Sequence, residues 1–168
     1  MKSLIIIQVI ITFLAGLTAL FLMYKIMNYF MKKKFKIEEA NNAFAILQVG
    51  ILISTSFIMA SVMSAAVNAV QFLNTGGSVQ LNNVLTSLIY IIVFIVIGML
   101  FTFAVIFSSI FIFFQLTNIN EWEQIKLNNI PTSLISAALI LGLALIMDDY
   151  IGHLCEALIP YPDVIQIR

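Results

Sequence analysis

Charge is what this sequence has least of. Of 168 residues only 10% are Asp, Glu, Lys or Arg, eight acidic and eight basic, with a formal net charge of zero. Soluble domains carry about 25%. The balance leaves no overall field to attract nucleic acid or an acidic partner. There is one cysteine, Cys155. A lone thiol forms neither an internal disulfide nor a cysteine metal cluster, so Cys155 reads as a small buried hydrophobe. The single histidine, His153, excludes paired histidines at metal spacing, and no phosphate-cradling glycine loop or serine nucleophile elbow is present. The longest water-exposed segments run to about 15 residues, which leaves no room for a soluble catalytic domain. No cofactor, metal or enzymatic activity is expected.

Apolar residues fill the space instead: 62% of the chain, with a mean hydropathy of +1.09. A water-soluble fold of this size cannot hide that much apolar surface, because much of a small domain stays wet. Four runs reach the roughly 20 residues that cross a hydrocarbon core as a helix: 4–24, 43–72, 84–114 and 130–159. They lack the two-residue alternation of a membrane barrel, so helices are the remaining way to satisfy the backbone in lipid. The first run, SLIIIQVIITFLAGLTALFLMYK, is too long for the core of a secretory signal and lacks a small-residue exit; it is expected to stay as the first span. The expected fold is all-α, an integral membrane four-helix protein.

The connections differ in charge. The first, KIMNYFMKKKFKIEE, holds Lys25, Lys32, Lys33, Lys34 and Lys36; the second, NTGGSVQLNN, holds no charge; the third, QLTNINEWEQIKLNN, holds Lys126. The positive-inside rule puts the first and third in the cytoplasm, with both termini and the Gly76-Gly77 turn outside. Lys2 argues the other way and is outnumbered. Trp122 falls where an interfacial anchor belongs, in a short amphipathic entry that Asn120 and Glu123 can cap. Pro131 suits the first turn of the fourth span, and Tyr161 between Pro160 and Pro162 suits its exit.

The chain repeats itself. EEANNAFAILQVGILISTSFIM (38–59) and IKLNNIPTSLISAALILGLALIM (125–147) each lead into an even-numbered span. A shift of 87 residues lays Asn41-Asn42 on Asn128-Asn129, Ala45 on Thr132 and Leu47 on Leu134. This pattern predicts two tandem helical hairpins, residues 1–73 and 84–160, of the same orientation and related by an axis along the membrane normal. The string NEWEQIKLNNIPTSLISAALILG resembles the second-repeat signature of a bacterial inner-membrane family known as domain of unknown function 350. That resemblance implies two tandem two-helix repeats with motif residues Glu38, Glu39, Asn41 and Asn42 in the first copy. Glu121, Glu123, Ile125, Asn128 and Asn129 serve in the second. The chain departs from the family pattern in lacking a glycine before the motif asparagine, and Ile130-Pro131 stands where small residues are usual. The resemblance brings architecture and location but no reaction.

Four side chains near the end of the fourth span carry the only candidate chemistry. Asp149, His153 and Glu156 are spaced four and three apart and share a helix face, with Asp148 beside them. An imidazole between carboxylates can relay protons or help to hold a cation. Asp148 lies 19 residues beyond Asn129, about 28 Å at 1.5 Å per residue, at the far edge of a hydrocarbon core about 30 Å thick. Two readings stand: a solvated helix end, or a site turned toward the bundle or a subunit interface.

A second pattern is packing. Ser61, Ala65 and Ala69 recur every four residues in the second span, as do Ala60, Ser64 and Asn68 on the next stripe. Small residues at this spacing let helices approach closely in lipid. Gly16, Gly50, Gly98 and Gly142, one per span, are expected at close contacts too. The paired asparagines Asn41, Asn42, Asn128 and Asn129 read as helix-entry residues. The fourteen phenylalanines, including the FIFF of span three, read as lipid-facing bulk. The expected function is that of a multi-pass inner-membrane component acting through helix association. Its partners are the lipid bilayer and either further copies of itself or another membrane protein. The alternative is a small oligomeric channel or proton- or cation-coupled transporter using Asp148, Asp149, His153 and Glu156.

Overall fold

The computed structural model describes residues 2–36, 41–73, 81–117 and 120–159. In chain order they form α1 (Lys2–Phe35), α2 (Asn42–Leu73), α3 (Leu81–Thr117), α4 (Glu121–Lys126) and α5 (Ile130–Ala157), with no strand among the described residues. The reason lies in the runs themselves. They are continuous and free of interior proline, so beyond the first turn each backbone N–H finds the carbonyl four residues back without water. Four helices are long and apolar enough to cross a membrane: Ile10–Phe30, Asn42–Gln71, Thr86–Thr117 and Ile130–Ala157. The Glu38-Glu39 pair, the Gly76-Gly77 turn and the Pro160-Tyr161-Pro162 exit lie outside the described residues.

The lysine-bearing connection is a helix over most of its length. α1 continues through Lys25, Lys32 and Lys33 to Phe35 and breaks at Lys36, whose φ of 53° is left-handed. Lysine is a good helix former and needs no apolar partner. A drop in hydropathy therefore marks the end of the lipid-compatible stretch without ending the helix.

The bundle is organised around α2, which touches every other helix and meets α5 over the largest interface. Contacts between them join residues separated by 90, 87 and 88 positions, at Ala43 with Ser133, Ser61 with Asp148, and Asn68 with Glu156. A separation that holds from one end to the other means that α2 and α5 run parallel. They approach tightly at Gly50, where a Cβ would stand 2.7 Å from the Cβ of Ala137 and 3.0 Å from its Cα. A second close approach pairs Gly152 with Ser61, at 3.2 Å between the Cβ positions. Leu47, Ile51, Ile58, Ala65, Ile140 and Ala144 belong to the core around these points.

The glycines divide. Gly50 and Gly98 are contact positions, the latter facing the Met59 thioether. Around Gly16 and Gly142 nothing lies within 4 Å, so the expectation of close contact fails for these two. The phenylalanines divide as well: Phe44, Phe94 and Phe113 are buried, while Phe13, Phe21, Phe107 and Phe111 are exposed. Even inside FIFF, Phe111 and Phe113 point to opposite environments, because two residues along a helix is about 200° of rotation. Cys155 is buried in the core, as its neighbours predicted.

Candidate functional site

At the lysine-rich end the asparagines tie the start of α2 to the segment between α4 and α5. Asn41 is the buried cap of α2: its Oδ1 accepts from the Phe44 N–H at 2.7 Å. Its Nδ2 reaches across to the end of α4 and donates to the Ile125 carbonyl at 2.7 Å and the Lys126 carbonyl at 3.4 Å. Asn128 answers from the other side, its Oδ1 accepting from the Ala43 N–H at 2.9 Å. Ser133 of α5 closes the exchange by donating to the Ala43 carbonyl. Of the N–H groups that the start of α2 leaves unpaired, that of Phe44 is thus met by its own cap and that of Ala43 by Asn128 from the entry to α5.

Asn129, not Asn128, caps α5: it accepts from the Thr132 N–H at 3.3 Å and donates to Gln124 Oε1 at 2.8 Å. The 87-residue superposition therefore slips by one at the helix entry. Pro131 must occupy the first turn, where its missing N–H is harmless. Asn128 sits at φ 59°, a left-handed conformation that asparagine tolerates better than most residues, and this frees its side chain for α2. Asn42 is exposed and sits on the first residue of α2. Asn120 caps α4 by accepting from the Glu123 N–H.

Glu121 lies within this junction, only 2% exposed, with Oε1 lacking a hydrogen-bond partner. Burial pushes its carboxyl up to about 7, against the smaller opposing effect of a backbone hydrogen bond. The signal was present in the sequence. Glu121 and Ile125 are four apart on a short helix and share a face, and Ile125 is buried.

At the opposite, lysine-poor end the acidic-histidine group is split between two faces. Asp148 turns toward α2 and accepts from Ser61 Oγ at 2.6 Å. Glu156 does the same two turns further, its Oε1 accepting from Asn68 Nδ2 at 3.2 Å while Oε2 stands 3.8 Å from His153 Nδ1. Asp149 and His153 are exposed, the imidazole side chain by 79%. Inward are the two acids eight apart; outward are the acid and imidazole four apart. Among the described residues no three or more His, Cys, Asp or Glu side chains gather closely enough to hold a metal.

The two small-residue stripes of α2 also part company. Ser61 faces α5, and Ala65 and Ala69 are buried in the core. Ala60, Ser64 and Asn68 line a groove of about 660 Å³ between α1 and α2, with Ala60 and Ser64 exposed.

Long apolar helices, buried polar caps at one end and interhelical carboxylate contacts at the other define an all-α membrane protein with four helices capable of spanning a bilayer. The family described as Domain of Unknown Function (DUF350) matches residues 1–151, and the chain belongs to it. No curated protein and no solved structure matches the chain.

Proposed function

We propose that this protein is a non-enzymatic component of the bacterial inner membrane that works through helix association, as a homo-oligomer or as an accessory subunit of another membrane protein. In this reading the chain is two tandem hairpins with the lysine-rich end in the cytoplasm and both termini outside, supported by the rule that cytoplasmic connections collect lysine. The observation that carries this reading is the α2–α5 seam. It is closed by Gly50 against Ala137 and bolted at both ends by side-chain hydrogen bonds, Ser133 to Ala43 and Ser61 to Asp148. Such a seam makes a rigid core, while α1 stays the most exposed of the four spans. Large apolar residues outside the α1–α2 groove are exposed on it, among them Ile10, Leu14 and Phe21. A loosely held helix beside a rigid pair is the natural face for a partner in lipid.

The test is cross-linking of the tagged full-length protein in its own membrane. Cysteines at Leu14 and Phe21 are expected to yield a homo-oligomer or a heteromeric band. A strictly monomeric protein with no cross-linked partner refutes the reading.

A second reading, a proton- or cation-coupled pathway, is favoured by Asp148 and Glu156 turning toward α2 rather than toward solvent. Ionisable groups inside a membrane protein commonly mark such pathways. Flux through reconstituted vesicles tests it, with Asp148→Asn plus Glu156→Gln expected to abolish flux and Asp149→Asn plus His153→Ala to spare it. Equal flux in all variants refutes this site.

A further inference from the structure

The groove between α1 and α2 is graded in polarity along its length. Its walls on α2 run from Ser56 to Gln71, about 22 Å at 1.5 Å per residue. That is the depth of one leaflet with its headgroup layer, half of about 40–45 Å. The deep end is apolar, with Leu17, Leu20, Met59 and Met63, and its one hydroxyl, Ser56, is satisfied by the Leu52 carbonyl of its own helix. The lysine-poor end carries Ser64, Asn68 and Gln71. An amphiphile lying along the groove finds hydrocarbon where its tail sits and polar groups where its head sits.

Charge narrows the head. Asn68, a lining residue, is hydrogen bonded to Glu156, which fixes a half-buried carboxylate at the rim. Asp148 and Asp149 stand two turns deeper on the same helix. No lysine or arginine occurs in α2, α3 or α5, nor in α1 between Lys2 and Lys25. The Glu156 carboxylate, with the His153 imidazole 3.8 Å away, is thus the acidic group joined to the groove through Asn68, and it favours a positive group. The Ser64 hydroxyl and the Gln71 amide are donors suited to a phosphate.

We propose that this groove binds a phospholipid with an ethanolamine headgroup, its acyl chain along Gly16 and Met59, its phosphate toward Ser64 and Gln71, and its ammonium toward Glu156. The proposal goes beyond the reading above and holds whether or not the protein has a protein partner.

Gly16 makes the site testable, because it lines the groove and a side chain there enters open space. The full-length protein, delipidated in detergent, is given palmitoyl-oleoyl phosphatidylethanolamine or the matching phosphatidylglycerol, and retention is read by native mass spectrometry. Wild type is expected to retain the ethanolamine lipid about fivefold better, the scale of one partly exposed ion pair. Gly16→Leu and Ala60→Leu, each filling the groove, are expected to lower ethanolamine-lipid retention at least fivefold without loss of lipid-free thermal stability. Glu156→Gln is expected to bring the two lipids to parity. Equal retention of both lipids by wild type, or full retention by both groove-filling variants, overturns the proposal and leaves ordinary annular lipid.

Discussion

Adding a single methyl group at Gly50 tests the tight contact between α2 and α5. A Cβ there stands 2.7 Å from Ala137 Cβ and 3.0 Å from its Cα. Carbon atoms rest at about 3.5–4.0 Å, so the shortfall is about 1 Å. The obstacle is helix backbone, which no rotamer change relieves. α2 and α5 must move apart along their shared length, at about 1–3 kcal/mol for overpacking of this kind. Alanine also gains about 1 kcal/mol over glycine in helix propensity. Gly142→Ala has the same gain with nothing within 4 Å to collide with, and serves as the reference. Gly50→Ala is therefore expected to be about 1–3 kcal/mol less stable than Gly142→Ala. Reversible unfolding in mixed micelles provides the measurement. The double variant Gly50→Ala, Ala137→Gly is expected to recover most of the loss, since it moves the methyl across the same seam; a coupling above about 0.5 kcal/mol marks the contact as direct. Equal stability of Gly50→Ala and Gly142→Ala would refute the close parallel packing of α2 on α5.

Other outcomes follow from the two ends of the seam. Asn41→Ala removes the α2 cap and the donor to Ile125, and is expected to cost about 1–3 kcal/mol in the same assay, whereas exposed Asn42→Ala stays within about 0.5 kcal/mol. Glu121 gives a pH dependence. Its folded carboxyl is raised from 4.5 to about 7 by burial, so the folded state holds its proton more tightly than the unfolded chain. Its stabilising contribution is complete below pH 4.5 and is lost as pH rises through 7, a change of about 3 kcal/mol at 1.36 kcal/mol per unit. Denaturation midpoints measured from pH 5 to 8 are expected to fall in wild type and to flatten in Glu121→Gln. His153→Ala is expected to leave stability within about 0.5 kcal/mol, because its ring is mostly solvated. Gly98→Ala should cost less than Gly50→Ala, since it meets the flexible end of Met59 and, at an ordinary 3.4 Å, Val62 Cγ1, but no backbone.

Hydropathy determined the helix number, the helical class and the approximate spans, because a backbone in lipid has no other way to pair its polar groups. Helix ends were legible where caps are local: Asn120 and Asn129 each bond three residues onward, and Pro131 marks a first turn. The family too was readable from the short NEWEQIKLNN string, since it holds the cap and the junction together. Tertiary structure decided which partners these groups take. Asn41 and Asn128 reach 84 or 85 residues away to exchange helix ends, a pairing that no local pattern encodes. It also divided the acidic-histidine face, since Asp148 and Glu156 point at α2 while Asp149 and His153 point away. Periodicity places residues on a helix face; only the position of a neighbouring helix says which part of that face is covered. The same holds for the glycines, where Gly50 and Gly142 are alike in sequence and differ only in whether another backbone lies against them.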